Sequence, residues 1–319
     1  MLNRRSVGKN TGLEQFRVAD WLVHGGHQYE FFKTNHLFFC TNPNGRRPDP
    51  KSLGRPKNVN VKYITGRELS RTYFDIAMVR AGVDYSPYNK IITARKIPGI
   101  AVMQTYLPYD IPKWTRCVVW NSKAVMDKHK DQMPRKKHFY IPHGFDPLEF
   151  NFLNLDRNGR VLSAAALFEK RKKVLGFDEW RWIADELGLC DLLGHGNENI
   201  KECIGSFPLE KLVRMYNKYS LFLNTTTKSA MPRTRAEALM CGTPLITTKN
   251  FGIENYLTHG KNCLYADTKE DMLKQAKSLL GSKDMRENIG LAGREAAMLF
   301  FNIKEYKDRW EEVFACAIK

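Results

Sequence analysis

Residues 219–248 constrain the fold of this chain more tightly than any other stretch. Residues 220–224 form a short apolar run that ends in polar residues, which predicts a buried parallel strand. Pro232 suits the first position of a helix, and Gly242 ends that helix. Residues 245–248 predict the next strand. The stretch is therefore a strand–loop–helix–strand unit whose loop opens onto a helix start, where open α/β sheets bind ligands.

Three cations, Lys228, Arg233 and Arg235, lie at the predicted start of this helix. The helix dipole makes each cation there unfavourable by roughly 0.3–1 kcal/mol, and a bound diphosphate would reverse the sign of that effect. Glu237 follows about one turn later and can accept hydrogen bonds from ribose or sugar hydroxyls. A surface helix with solvated arginines is the alternative interpretation of the same residues.

Residues 237–246, EALMCGTPLI, resemble the nucleotide-sugar site of retaining glycosyltransferases of the GT-B fold, family four. That family carries two glutamates eight residues apart, and Ala-Met-Ala-Cys-Gly-x-Pro-Val-Ile follows the second. Glu237 matches the second glutamate, whereas Ser229 stands in place of the first. In the family the first glutamate contacts hydroxyls of the donor sugar, so Ser229 leaves the identity of that sugar open.

The length of 319 residues is enough for two domains of about 150 residues. The resemblance implies an α/β protein of the GT-B type, with two facing Rossmann-like parallel-sheet domains, a cleft between them and a C-terminal helix that crosses back. We place a basic, acceptor-side domain at residues 1–150 and a nucleotide-sugar-binding domain at 151–303. Residues 304–319 are expected to form the helix that packs on the first domain.

Residues 12–32 predict an amphipathic helix that Gly25 and Gly26 end, with a strand after it. The residues expected to share its apolar face are Phe16, Ala19, Leu22 and Val23. In the resembling family a glycine-containing loop precedes this helix, and Thr11 and Gly12 would take its place near the donor phosphates. Gly12 is therefore a candidate donor-binding residue. The strand that should precede the loop would then be missing or very short.

A run of bases follows the predicted strand at residues 161–166. The resembling family places an arginine and a lysine here to grip the donor diphosphate. Arg171, Lys172 and Lys173 are the candidates, and the sequence leaves the choice among them open. We assign catalytic roles to Arg171 and Lys172 together with Glu237, and a donor-binding role to Lys173. A basic surface run is the alternative.

Further donor-binding candidates lie in two glycine- or proline-marked turns. His195 and Gly196 resemble the loop of the family that binds the nucleotide base, and glycine permits close approach of the backbone to a flat ligand. A plain turn explains these two residues nearly as well. Ser229, Arg233 and Thr234 lie at the start of the helix before Glu237.

The net charge of +17 is unevenly distributed. Residues 1–150 hold 25 Lys and Arg against 12 Asp and Glu, whereas residues 151–319 hold 26 against 22. A strongly basic half implies an anionic partner, such as nucleic acid, an acidic membrane surface or another anionic polymer. Solubility alone would not require the two halves of the chain to differ in net charge.

Residues 41–71 are polar, basic and rich in proline, which predicts a largely extended loop. Residues 54–57, GRPK, contain the Gly-Arg-Pro core of peptides that insert an arginine into a narrow minor groove. A mobile, solvated loop is the alternative. The candidate acceptor-binding residues here are Arg46, Arg47, Arg55 and Lys57. Gln104 and Tyr106 join them, because they flank the loop that faces the reaction centre in the resembling family.

Apolar patterning predicts further elements along the chain. Strands are expected at residues 74–79, 99–105, 116–122 and 139–141, and Ser122 is expected to cap a lysine-rich helix. A helix is expected at residues 272–280. The last helix should bury a face made of Tyr306, Trp310, Val313 and Phe314.

Several classes of protein are disfavoured by what the sequence lacks. It has no run of about 18 apolar residues, as a membrane-spanning helix needs. Seven cysteines without CxxC spacing indicate reduced thiols in the cytoplasm. Eight histidines show no metal-binding motif, so we expect neither a metal nor a tightly bound cofactor. A nucleotide diphosphate sugar, with UDP-sugar favoured, is the expected co-substrate.

Three functions compete at this point. The first, slightly favoured, is transfer of a sugar to a hydroxymethylated base in double-stranded DNA, because phosphate contacts depend on charge. The second is synthesis of a lipid-linked or cell-surface glycan, with peripheral membrane contact. The third is non-catalytic nucleic-acid binding on a transferase fold. For the transferases, the resemblance implies retention through front-side attack by the acceptor hydroxyl, with cations stabilising the departing diphosphate.

Overall fold

The computed structural model describes residues 15–50, 55, 59–250 and 252–319. The chain divides into two compact units. The first comprises Met1–Gly144 with Lys304–Lys319, and the second comprises Phe145–Ile303. Each unit contains one parallel sheet with helices. The prediction of an α/β protein with two parallel-sheet units is confirmed.

The first unit contains a seven-stranded sheet in the order β3-β2-β1-β4-β5-β6-β7. Every pair of neighbouring strands is parallel. The strands are β1 Arg17–Trp21, β2 Leu37–Thr41, β3 Val61–Tyr63, β4 Ile76–Val79, β5 Gly99–Met103, β6 Thr115–Trp120 and β7 Lys137–Tyr140. The helices are α1 Gly25–Phe31, α2 Gly66–Arg71, α3 Ser86–Ala94 and α4 Lys123–His129, with a 3-10 turn at Lys130–Gln132. Ser122 caps α4 by accepting a hydrogen bond from the Val125 amide, as predicted.

The predicted helix within residues 12–32 is wrong. Residues Arg17–Trp21 form β1, which pairs with β2 on one side and β4 on the other. The two glycines, Gly25 and Gly26, begin α1 and do not end a helix. The first strand is thus present, and the glycine-containing segment that follows it, residues 22–26, runs from a short loop into the first turn of α1. Gly12 itself lies outside the described residues.

The prediction of an extended loop over residues 41–71 is also wrong in its second half. Val61–Tyr63 forms the edge strand β3, and Gly66–Arg71 forms α2. Thr65 and Glu68 make a capping box: the Thr65 side chain accepts from the Glu68 amide, and Glu68 accepts from the Thr65 amide. This Thr-x-x-Glu spacing is a helix-start signal that is visible in the sequence.

The last helix, α11, spans Ile303–Ile318 and buries the predicted apolar face. Within the first unit the Trp310 ring lies 4.5 Å from the Phe31 ring between centroids. The His36 imidazole approaches the Glu311 carboxylate at 3.1 Å. The predicted burial of Tyr306, Trp310, Val313 and Phe314 is confirmed.

The second unit contains a six-stranded parallel sheet in the order β10-β9-β8-β11-β12-β13. Its strands are β8 Val161–Ala164, β9 Cys190–Leu193, β10 Cys203–Gly205, β11 Leu221–Asn224, β12 Leu245–Thr248 and β13 Leu264–Ala266. The helices are α5 Lys172–Leu175, α6 Phe177–Leu187, α7 Leu209–Lys218, α8 Arg233–Met240, α9 Lys269–Gly281 and α10 Lys283–Phe300, with 3-10 turns at Glu169–Arg171 and Ile253–Asn255.

The stretch from β11 through α8 to β12 has the predicted form. Pro232 lies at the N-cap of α8, one position earlier than predicted, and Gly242 lies just beyond the helix end. Phe222 on β11 and Leu239 on α8 are fully buried in one apolar core. The loop between β11 and α8 therefore begins and ends on well-packed elements.

Candidate functional site

The second sheet has a change of winding direction between β8 and β11, which are neighbours although β9 and β10 intervene in sequence. Ligands of open parallel sheets bind outside the carboxyl ends of strands at such a point. A small cavity opens there, lined by Ala164 and Ala165 at the end of β8 and by Asn224, Thr225 and Thr226 at the end of β11. The loops around this cavity contain the predicted donor-site residues.

The loop after β8 is fixed against the loop after β11. The Thr225 hydroxyl donates to the Leu175 carbonyl at 3.0 Å, and the Thr227 amide donates to the Val174 carbonyl at 3.0 Å. Gly176 has φ +71°, and a Cβ atom on it would lie 2.1 Å from the Thr225 carbonyl oxygen. Only glycine permits this approach. The two loops therefore form one continuous rim.

Three bases of this rim, Arg171, Lys172 and Lys173, are exposed. The Lys172 ammonium lies 3.7 Å from the Asp178 carboxylate. Within the described part of the chain, neither Arg171 nor Lys173 forms an ion pair with a carboxylate. These two cations have charge available for an anionic ligand, whereas that of Lys172 is partly compensated.

The loop after β9 packs against the loop after β8. Gly194 has φ +133°, and a Cβ atom on it would lie 2.0 Å from the Ala165 carbonyl oxygen. The Asn197 amide group donates to the carbonyls of Ala165 at 2.6 Å and Gly194 at 3.0 Å, and its oxygen accepts from the Phe168 amide at 2.8 Å. Asn197 is fully buried and joins the two loops. The sequence patterns do not predict this role for Asn197.

The predicted base-binding pair lies on this same loop. His195 is exposed and Gly196 is half-buried. The His195 carbonyl accepts a hydrogen bond from the Leu167 amide at 2.9 Å, so the loop backbone is anchored while the imidazole remains accessible. The Glu198 carboxylate accepts from its own backbone amide and from the Gly196 amide, the latter at 3.0 Å, and these bonds lower the pKa of that carboxyl group. The two loops place His195 on the same edge of the sheet as the bases of the rim.

Arg233 and Thr234 begin α8, and Ser229 lies in the loop before it; all three are half-buried. The Arg233 Nε donates to the Glu237 carboxylate at 2.9 Å, and its guanidinium lies 4.3 Å from the centre of the Phe145 ring. Glu237 is 3% exposed and also accepts from the Tyr216 hydroxyl at 3.0 Å. Glu237 therefore orients Arg233 one turn away along the helix, in addition to any bond with a ligand.

The interpretation of Arg235 as a cation at the surface of an anion site is wrong. Its side chain is 1% exposed. The guanidinium donates to the Asn250 side-chain oxygen at 3.2 Å and to the Asn224 side-chain oxygen at 3.2 Å. Arg235 thus joins the end of β11 to the loop after β12. Arg235 therefore supports the site from the protein interior. Every residue from Arg235 to Met240 is buried.

The predicted acceptor residues that the structure describes lie in the first unit, on the segments that follow β2 and β5. Arg46 and Arg47 follow β2 and are exposed, and Arg47 forms an ion pair with Glu68 at 2.7 Å. Gln104 and Tyr106 follow β5 and are half-buried. The strands β1 and β4 separate β2 from β5, so roughly 14 Å lies between the two groups at about 4.8 Å per strand. Arg55 is half-buried, and Lys57 lies outside the described residues.

The described residues lack two further features. No set of three or more His, Cys, Asp and Glu side chains there could hold a metal ion. No helix within the described ranges combines the length and apolarity needed to cross a membrane.

Residues 161–315 match the profile of a family described as glycosyl transferase-like. Solved structures with the same fold cover nearly the whole chain. Residues 161–315 thus form a glycosyl transferase-like domain, and the chain as a whole has the GT-B fold. Sucrose-phosphate synthase of Thermosynechococcus elongatus is 12% identical, with a TM-score of 0.69 over 94% of this chain and 98% of that one.

Two further solved structures are similar to this chain. HepE of Anabaena in complex with UDP is 12% identical, with a TM-score of 0.70 over 94% of this chain and 99% of that one. A glycosyltransferase of Rickettsia africae is 11% identical, with a TM-score of 0.70 over 96% of this chain and 99% of that one. At these identities the similarity shows the fold alone. No curated protein sequence matches the chain.

Proposed function

We propose that this glycosyltransferase uses a nucleotide diphosphate sugar, with a UDP-sugar favoured, and binds it at the β8/β11 edge of the second unit. The observation that carries this proposal is the rim of exposed cations beside the cavity, next to the start of α8. Helix amides, Arg171 and Lys173 would stabilise the charge that develops on a departing diphosphate. The complexes of HepE with UDP and with UDP-glucose support a donor of this kind.

The acceptor we propose is a hydroxymethylated base in double-stranded DNA, with the sugar transferred with retention. The support is the charge of the first unit. Lys113, Arg116, Arg135 and Lys137 are exposed near the amino ends of β6 and β7, and none forms an ion pair with a carboxylate of the described chain. We call these four residues the basic edge. None of the large apolar side chains that are exposed in the described part of the chain belongs to it. Such a surface fits a phosphate backbone better than a lipid bilayer.

A duplex also fits the size of the first unit. The six residues of β6 span roughly 17 Å at about 3.3 Å per residue. We infer that one duplex could contact the basic edge and still approach the loops at the other end of these strands. The target hydroxyl would project into the major groove or be presented by flipping the base out.

A lipid-linked or cell-surface glycan is the second candidate acceptor. Leu107, beside Tyr106 in the loop after β5, is 51% exposed, and an exposed leucine near an acceptor loop suits an apolar partner.

All seven cysteines are free thiols, which fits a reducing compartment, and we place the protein in the cytoplasm.

Radiolabelled UDP-glucose and GDP-sugars, offered with plain duplex, hydroxymethylated duplex or lipid vesicles, distinguish these acceptors. We expect label only in hydroxymethylated duplex. Label in the vesicles alone would contradict the DNA acceptor and favour the second candidate. The anomeric configuration of the product, compared with that of the donor, tests retention.

The salt dependence of duplex binding tests the basic edge. Replacing both Lys113 and Lys137 by glutamine should lower the slope of log K against log [salt] by roughly two, since each phosphate contact contributes about 0.9. Lys123→Gln is the matched control, because the Lys123 ammonium already contacts the Asp127 carboxylate at 2.5 Å. An equal slope in the double variant and the control would contradict a phosphate contact at this edge.

A further inference from the structure

Two cysteine thiols lie side by side in the first unit, although they are far apart in sequence. Cys117 is on β6 and is fully buried, whereas Cys316 is in the last turn of α11 and is half-buried. The two thiols share a hydrogen bond. The guanidinium of Arg116, next to Cys117, donates from Nη1 to the carbonyl of Ala317, next to Cys316, at 3.0 Å. The fold thus brings the two sulfur atoms together at a contact that a second bond fixes.

This contact lies at the end of the helix that closes the first unit. Upstream of Cys316, α11 buries Val313 and Phe314, and the Glu311 carboxylate approaches the His36 imidazole at 3.1 Å. All of these contacts are non-covalent, and the last residues of a chain fray most readily unless they are tied down. A covalent bond from Cys316 to β6 would fix the last turn of α11 on the sheet.

The two thiols differ in how readily they react. Burial and the neighbouring Cys316 raise the pKa of the Cys117 thiol to about 12, while the nearby cations Arg116 and Lys137 act in the opposite direction. Cys117 is therefore protonated at neutral pH, and it is out of reach of a reagent in solution. Cys316 is the partly accessible member of the pair. It can react first, and Cys117 then has to reach only the sulfur beside it.

We propose that Cys117 and Cys316 are a redox modification site, at which a low-molecular-weight disulfide converts the thiol pair to an intramolecular disulfide that clamps the last turn of α11 to β6. The Cys316 thiolate attacks the oxidant, forms a mixed disulfide and releases one small thiol. The Cys117 thiolate then attacks the Cys316 sulfur and releases the second small thiol. The protein thiols lose two electrons and two protons, which the two released thiols carry. An excess of a reducing thiol reverses both steps.

The proposal is compatible with a reducing compartment, because disulfides that form there are usually transient and redox-sensing. It depends neither on the donor nor on the acceptor of the proposed function. A cross-link between residues roughly 200 positions apart restricts the unfolded chain strongly, so the oxidised protein should resist unfolding. The cross-link would also lie beside the basic edge, to which Arg116 belongs.

Oxidation of the full chain with glutathione disulfide tests the proposal. We expect the protein to lose the mass of two hydrogen atoms, and peptide mapping without reduction to recover Cys117 and Cys316 in one cross-linked peptide. The melting temperature should rise by several degrees and return to its starting value after dithiothreitol is added. The reaction should be faster at alkaline than at neutral pH, because only the thiolate attacks.

Two serine variants locate the effect. Cys316→Ser replaces a half-buried thiol and should gain neither the cross-link nor the rise in melting temperature. Cys203→Ser is the matched control, because Cys203 is the other half-buried cysteine and its thiol lies 3.9 Å from the Gly194 carbonyl oxygen in the second unit. This control should form the cross-link between Cys117 and Cys316 as the wild type does.

Three results would overturn the proposal. The first is a mixed disulfide on Cys316 that persists at alkaline pH without closing onto Cys117. The second is a wild type in which both thiols stay reduced in excess glutathione disulfide, or in which either one pairs with another cysteine. The third is a cross-link between Cys117 and Cys316 that leaves the melting temperature unchanged, since the bond would then not clamp α11.

Discussion

The Arg171→Ala variant is expected to lower kcat/KM for sugar transfer by roughly 10²-fold. Arg171 is exposed on the rim beside the β8/β11 cavity, and no carboxylate of the described chain compensates its charge. Removing one preorganised donor from a developing anion costs on the order of 10²–10³ in rate. Steady-state kinetics at a fixed acceptor concentration measure the loss. Lys173→Ala should show a comparable effect, since that ammonium is equally free.

Lys170→Ala is the control for this pair of variants. Lys170 belongs to the same run of bases, but its charge acts on the nearby Glu198, where it helps to lower the pKa of that carboxyl group. We expect its kcat/KM to stay within about twofold of wild type. Wild-type rates in both Arg171→Ala and Lys173→Ala would contradict the assignment of the rim to the diphosphate.

The second large effect is expected at Glu237. Its buried carboxylate accepts from Tyr216 and Arg233, so Glu237→Ala leaves a guanidinium and a hydroxyl without this partner. Hydrogen bonds to charged groups contribute about 1.5–3 kcal/mol, and losing one partner of a buried ion pair costs about 3–5 kcal/mol of stability. We expect transfer to fall by at least roughly 10²-fold and the melting temperature to fall by several degrees.

Two milder variants separate activity from stability at this position. Glu237→Gln keeps the shape and an acceptor for Tyr216 but removes the charge that orients Arg233, so transfer should fall while the protein stays folded. Tyr216→Phe removes the hydrogen bond from the Tyr216 hydroxyl to Glu237 and should cost about 1 kcal/mol of stability with little change in kcat. A folded Glu237→Gln enzyme with wild-type kcat/KM would show that the carboxylate has no part in the reaction.

Sequence patterns predicted the second unit better than the first because its signals are local. Between β11 and β12, an apolar run, a proline and a glycine each restrict the backbone at their own position. Residues 16–23 contain no comparable signal. Their apolar positions fit a helical face as well as a strand, and only pairing with β2 and β4, which are distant in sequence, decides between the two.

The interior of the candidate site was harder to predict than its rim. The bases Arg171, Lys172 and Lys173 are conspicuous in the sequence, whereas the burial of Arg235 depends on Asn224 and Asn250, from two other elements. The helix α8 is buried on nearly all sides, so it lacks the polar face that would have indicated its orientation.

The most direct measurement is a crystal structure of the protein with UDP bound. The account predicts density for the nucleotide at the carboxyl ends of β8 and β11, with its phosphates within hydrogen-bonding distance of the first amides of α8 and of Arg171 or Lys173. An empty β8/β11 edge at millimolar UDP, or a nucleotide bound elsewhere on the chain, would contradict it.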